Sequence, residues 1–112
     1  MANTAPHDPD FSARSEACLT AILEALDAID PDELEADYAG GVLKMTFADG
    51  RHCVLNRQAA ASQIWLAEGA SAWHFSYDPT AGQWLDTKGR GTLHAILAGI
   101  LGQKLGRAVA LG

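Results

Sequence analysis

Residues 56–67 read NRQAAASQIWLA, and the second half of that stretch sets the terms for the fold. Successive side chains of a strand point to opposite faces of its sheet. A strand through QIWLA therefore puts Ile64 and Leu66 on one face and Gln63, Trp65 and Ala67 on the other. The bulkiest apolar side chain lands beside the glutamine. On the preceding strand the same alternation sends His52, Val54, Asn56 and Gln58 outward with Trp65, and turns Cys53 and Leu55 inward.

The neighbouring segments repeat the pattern. GGVLKMTF, residues 40–47, sets Leu43, Met45 and Phe47 against Val42, Lys44 and Thr46, and the ADG that follows supplies the positive φ of a hairpin into RHCVLN. SAWHFSYD, residues 71–78, places Trp73, Phe75 and Tyr77 on one face and His74 and Ser76 on the other. Pro79 to Gly82 make a turn into QWLDTKG. These segments predict an antiparallel meander whose aromatics, Trp73, Phe75 and Trp84, belong to the core.

On both sides of the meander the period becomes helical. Leu19, Ile22, Leu23, Leu26 and Ile29 form one apolar stripe with Cys18 at its edge, while Glu16, Thr20, Glu24 and Asp27 lie opposite. DPDELEAD closes that helix at Pro31, since proline cannot continue the hydrogen-bond ladder. In TLHAILAGILGQKL, residues 92–105, Leu93, Ile96, Leu97, Ile100, Leu101 and Leu105 make a second stripe, with Thr92 as N-cap. Gly99 and Gly102 weaken this helix by about 1 kcal/mol each relative to alanine. Two helices with one stripe each, and strands with one apolar face, predict an α+β fold: a two-layer sandwich with both helices on one face of an antiparallel sheet. The other sheet face meets solvent, so Trp65 stays bare unless a loop, the C-terminal tail or a partner covers it.

The chain has 112 residues, 48% of them hydrophobic, which suits one domain over residues 11–112 behind a polar, proline-bearing tail over residues 1–10. A net charge of −6 argues against nucleic acid and fits a cation or a basic protein as partner. There is no long apolar run for a membrane and no secretory or transit pattern in MANTAPHDPDFSARSEA. Cys18 and Cys53 stand far apart with no CxxC spacing, so neither a disulfide framework nor a thiolate zinc site is expected, and both read as buried thiols in a cytoplasmic protein. No nucleophile–base motif, P-loop or HExxH is present, and KGRG, residues 88–91, lacks the P-loop spacing, so the chain is not expected to be an enzyme.

The order of helix, acidic segment, GGVLKMTFADG, NRQ, QIWLA, WHF, QW and GTLHAIL resembles the frataxin family in its bacterial, CyaY-type branch. The resemblance runs from Phe11 to Leu111. Its most specific part is N-[RK]-Q-x4-Q-[IV]-W-L, matched by Asn56, Arg57, Gln58, Gln63, Ile64, Trp65 and Leu66. It implies a helix, a five- to seven-stranded antiparallel sheet and a second helix on the same face. It further implies weak binding of Fe²⁺ or Fe³⁺ by carboxylates of the first helix and the adjoining edge strand. The implied partners are the cysteine desulfurase and scaffold proteins that build iron-sulfur clusters. Carried onto this chain, the metal-binding groups are Glu16, Glu24, Asp27, Asp30, Asp32, Glu33, Glu35 and Asp37, and the partner-binding groups are Asn56, Arg57, Gln58, Gln63 and Trp65. The acidic ridge is thinner than the family's usual run, because Leu23 precedes Glu24 and Ala25 and Ala28 flank Asp27.

Carboxylates without histidine or cysteine suit hard cations and hold transition metals loosely. Binding is therefore expected to be weak, dependent on ionic strength and poorly selective among Fe²⁺, Fe³⁺, Mn²⁺ and other divalent cations. The same acids suit docking on a basic surface of the desulfurase. Trp65 among Asn56, Gln58 and Gln63 has the make-up of a binding hot spot, where one anchor contributes about 2 kcal/mol or more. The expected function is that of a monomeric iron-binding modulator of iron-sulfur cluster assembly, acting as iron donor or iron sensor. The alternatives are an iron store with ferroxidase activity and iron-driven oligomerisation, and an adaptor whose acids never hold metal.

Overall fold

The computed structural model describes residues 9–111; the expected tail lies outside the described residues as far as residue 8. Helix α1 spans Phe11–Leu26, strands β1 to β6 span Leu34–Ala39, Val42–Phe47, His52–Gln58, Gln63–Glu68, Ser71–Asp78 and Gln83–Asp86, and helix α2 spans Leu93–Leu105. The strands form one six-stranded antiparallel sheet in chain order. Both helices pack on one face of it, in the two-layer arrangement that the periodicities predict. Leu19, Ile22, Leu93, Leu97 and Leu101 from the helices meet Leu43, Met45, Leu55, Ile64, Leu66 and Phe75 from the sheet, and all are fully buried. Each such side chain contributes about 1.5–3 kcal/mol on burial.

Two boundaries differ from the sequence reading. Helix α1 stops at Leu26, ahead of Pro31, because its last turn tightens: Asp27 N–H donates to Glu24 O at 3.2 Å and Ala28 N–H to Ala25 O at 3.4 Å. Ile29 still reaches the core from beyond the helix end. The acidic segment is also more than a connector, since Leu34–Ala39 forms the edge strand β1. Leu34, Ala36 and Tyr38 turn toward the helices, and Glu35 and Asp37 stand opposite Thr46 and Lys44 on the open face. A two-residue turn of Gly40 and Gly41, with φ of 59° and 79°, returns the chain into β2. That geometry is the mirror-image turn that matches strand twist and favours glycine.

Thr92 caps α2 as expected, its Oγ1 accepting from Ala95 N–H at 3.1 Å, an interaction of about 1 kcal/mol. The loop ahead of it is built on Asp86, which sequence reading passed over. Its buried carboxylate accepts from Arg90 Nε at 2.7 Å and Arg90 Nη2 at 3.0 Å, and from the backbone N–H groups of Lys88 at 3.2 Å and Arg90 at 3.0 Å. These bonds, led by those of the Arg90 side chain, hold the Asp86 pKa down to about 2. Arg90 also donates to Ala72 O at 3.1 Å, tying the loop to β5.

Candidate functional site

With Ile64 and Leu66 locked into the core, the pleat of β4 has no choice but to present Trp65 on the open face. Register places Asn56 on one side of Trp65 and His74 on the other, and in the next row Gln58, Gln63 and Ser76. The indole is half-buried. Its Nε1 donates to Gln63 Oε1 at 2.7 Å, and Gln63 Nε2 donates in turn to Ser76 Oγ at 3.3 Å. The His74 imidazole stacks on the indole, centroids 4.2 Å apart and planes 11° from parallel. The C-terminal segment does not cover this group, for Val109 and Leu111 pack into the helix-side core. Trp65 is thus held in one orientation before any partner arrives, which lowers the ordering cost of binding.

Arg57 does not share this surface. Expected with Asn56 and Gln58 as a partner-binding group, it is one residue along from each, so it turns to the helix side, opposite Ile64. Its guanidinium passes over Gly41, where an added Cβ would lie 2.8 Å from Nε, and its Nη1 reaches Ser12 O and Glu16 Oε1, both at 3.5 Å. Glu16 also accepts a hydrogen bond from Tyr38 Oη. Burial, and then this bond to Glu16, raise the Tyr38 pKa.

The acids expected to form a single ridge fall into four groups. Glu16 is engaged by Arg57 and Tyr38. Glu33 is gripped through both oxygens by Arg107 Nη1 and Nη2 at 2.8 Å each, which holds its carboxyl below the usual carboxylate range. Glu24, Asp27, Asp30 and Asp32 are exposed at the end of α1 and in the connector, with Asp30 Oδ1 accepting from Asp32 N–H at 2.9 Å; Glu35 and Asp37 sit on the outward side of β1. Among the described residues, no three histidines, cysteines or acids converge to hold a metal ion. The exposed acids can therefore offer a cation isolated carboxylates or pairs, and no closed cage. Cys18 and Cys53 are buried, and burial pushes both thiols up to about 12, so neither supplies a thiolate. Among the described residues no helix is long and apolar enough to cross a membrane.

A model of the frataxin-like domain matches residues 5–107. The chain belongs to the frataxin family. It is similar to proteins named iron-sulfur cluster assembly protein CyaY from Thioalkalivibrio sulfidiphilus, at 37% identity over 93% of this chain and 98% of that one, and from Delftia acidovorans, at 34% over 91% and 94%. Among solved structures, a frataxin from Psychromonas ingrahamii superposes with a TM-score of 0.84 at 20% identity, covering 96% of this chain and 99% of that one. Trimeric frataxin from the yeast Saccharomyces cerevisiae, in complex with ferrous iron, gives a TM-score of 0.67 at 20% identity over 96% and 94%. At these identities the structural likeness speaks for the fold alone.

Sequence reading found Trp65 and its amide neighbours but not the role of His74, although both outward positions were legible. It also missed Asp86, which meets Arg90 through the loop after β6, a contact that no local period encodes.

Proposed function

We propose that this frataxin-family chain modulates iron-sulfur cluster assembly by docking on a complex of cysteine desulfurase and scaffold protein, and binds iron weakly as donor or sensor. It carries out no bond-making step of its own. The observation that carries this reading is Trp65, half-buried on an uncovered sheet face and pre-oriented by Gln63 and His74 beside Asn56. Rigid aromatic anchors with amide neighbours are the side chains that dominate protein interfaces. Family membership and the names of the relatives support the assembly role. Glu24, Asp27, Asp30 and Asp32 would hold iron: a cation relieves their mutual repulsion without a cage, which makes the affinity low and sensitive to salt. The working unit is one domain over residues 11–112, monomeric and cytoplasmic.

The test is cluster formation on desulfurase and scaffold, with and without this protein, at several iron concentrations. The protein should change the rate in an iron-dependent way, and Trp65→Ala should abolish the change while keeping the fold. A flat response at every iron level would overturn the reading. A second reading is an iron store with ferroxidase activity and iron-driven oligomerisation, for which the trimeric, ferrous-complexed yeast frataxin is a precedent in the same fold. Oxygen uptake and growth in particle size on adding Fe²⁺ would select it.

A further inference from the structure

The open sheet face carries a second feature beside Trp65. Arg51, His52, Val54, Ala67, Glu68 and Gly69 line a recess of about 420 Å³. It lies over a row of small side chains, Val54, Ala67 and Ala72, set side by side by the register of β3, β4 and β5, and Lys44 extends that row on β2 opposite Val54. Gly69, at φ +58°, turns the β4–β5 hairpin with no side chain to close the mouth. Glu68 belongs to the other side of the sheet: it lies opposite the buried Cys53, and its carboxylate meets Lys104 of α2 at 3.6 Å.

The recess is therefore cationic in an acidic protein. Arg57, Arg90, Lys104 and Arg107 are each engaged by a carboxylate at 3.6 Å or less. Lys44 makes no ion pair among the described residues, although Asp37 stands opposite it. Among the described residues Arg51 has only Asp49, at 4.0 Å with both side chains exposed, a contact of little worth in water. Of the cations without a close carboxylate among the described residues, Lys44 and Arg51 line or flank the recess while Lys88 lies in the loop after β6, and the available acids of α1 and the connector lie elsewhere.

We propose that this recess receives a carboxylate side chain from an acidic segment of the protein that covers Trp65, with its aliphatic stem on Val54 and Ala67 and its charge at Arg51, His52 and Lys44. This rests on the docking reading above and gives it a polarity: the recess takes an acidic side chain, and the connector acids take a basic surface. Ala67 follows Trp65 by two residues on the same face, roughly 7 Å along the strand, so one partner segment reaches both.

The experiment measures binding of the desulfurase–scaffold complex, over a range of salt concentrations, to the wild type, Trp65→Ala, the double variant Lys44→Glu/Arg51→Glu, and Ala67→Trp. Positions 44, 51 and 67 are exposed, so melting should be unchanged in the last two variants. The charge reversal should weaken binding at least tenfold at low salt and flatten its salt dependence. Ala67→Trp fills the recess without touching charge and should weaken binding similarly. Wild-type affinity in both, with Trp65→Ala still defective, overturns the recess proposal and leaves the docking reading standing. Failure of the wild type itself to bind overturns both.

Discussion

On β4, Ile64 and Leu66 are fully buried, while Trp65 is half-buried and Ala67 exposed. The same contrast repeats on β3, where Cys53 and Leu55 are sealed and Val54 and Asn56 are not. One face of the sheet is thus a packed interior under two helices, and the other is a lattice of small, amide and aromatic groups open to a visitor. The difference teaches where each property resides. Stability belongs to the covered face, where a lost methylene leaves a cavity, and recognition to the open face, where side chains can change at little cost to the fold.

The largest effect expected from pressing on this contrast is Leu66→Ala, which should cost about 3 kcal/mol in denaturant unfolding. Trp65→Ala, one residue away, should cost only about 1 kcal/mol, the scale of its stacking and one hydrogen bond. Equal losses at the two positions would dissolve the distinction between the faces.

Asp86 is the charged exception among the buried side chains of the described residues, opposite Phe75. Asp86→Asn should cost about 2 kcal/mol near neutral pH, since it weakens hydrogen bonds to a charged group. Because the folded carboxyl titrates at about 2, below the ordinary 3.8, its contribution is fully present above about pH 4 and is lost as pH falls through 4 toward 2. The wild type should therefore lose stability across that window, and the variant should lose visibly less.

The smallest effect sharpens the contrast from the helix side. Gly99 sits inside α2, exposed and with no heavy atom within 4 Å of an added Cβ. Gly99→Ala should stabilise by about 0.5–1 kcal/mol through helix propensity alone. Thermal unfolding checks the sign, and a destabilised variant would mean that this outer helix face is packed after all.

Much of the fold is written in short-range periodicity. Leu43, Met45 and Phe47, or Leu93, Leu97 and Leu101, announce their own faces. Strand β1 was implied by the resemblance but escaped the periodicity, because Glu35 and Asp37 resemble a solvated acidic loop, although Leu34, Ala36 and Tyr38 already alternate against them. Arg57 was grouped with Asn56 and Gln58 because the motif is contiguous in sequence, whereas the pleat separates neighbours onto opposite faces.

By itself, the sequence determined which residues of each strand and helix share a side, and through the Asn56 to Leu66 motif it pointed to the family. Those properties follow from periods of 2 and 3.6 residues, which local backbone geometry imposes on any chain. Only the tertiary structure decided which acids remain available, by bringing Arg57 to Glu16 and Arg107 to Glu33 across long stretches of chain. It also decided that no described residue covers Trp65, that His74 stacks on it, and that Arg51 and His52 line a recess over small side chains with Lys44 on the neighbouring strand. Such pairings depend on how the helices lie across the sheet and on the register between strands, which no local period encodes.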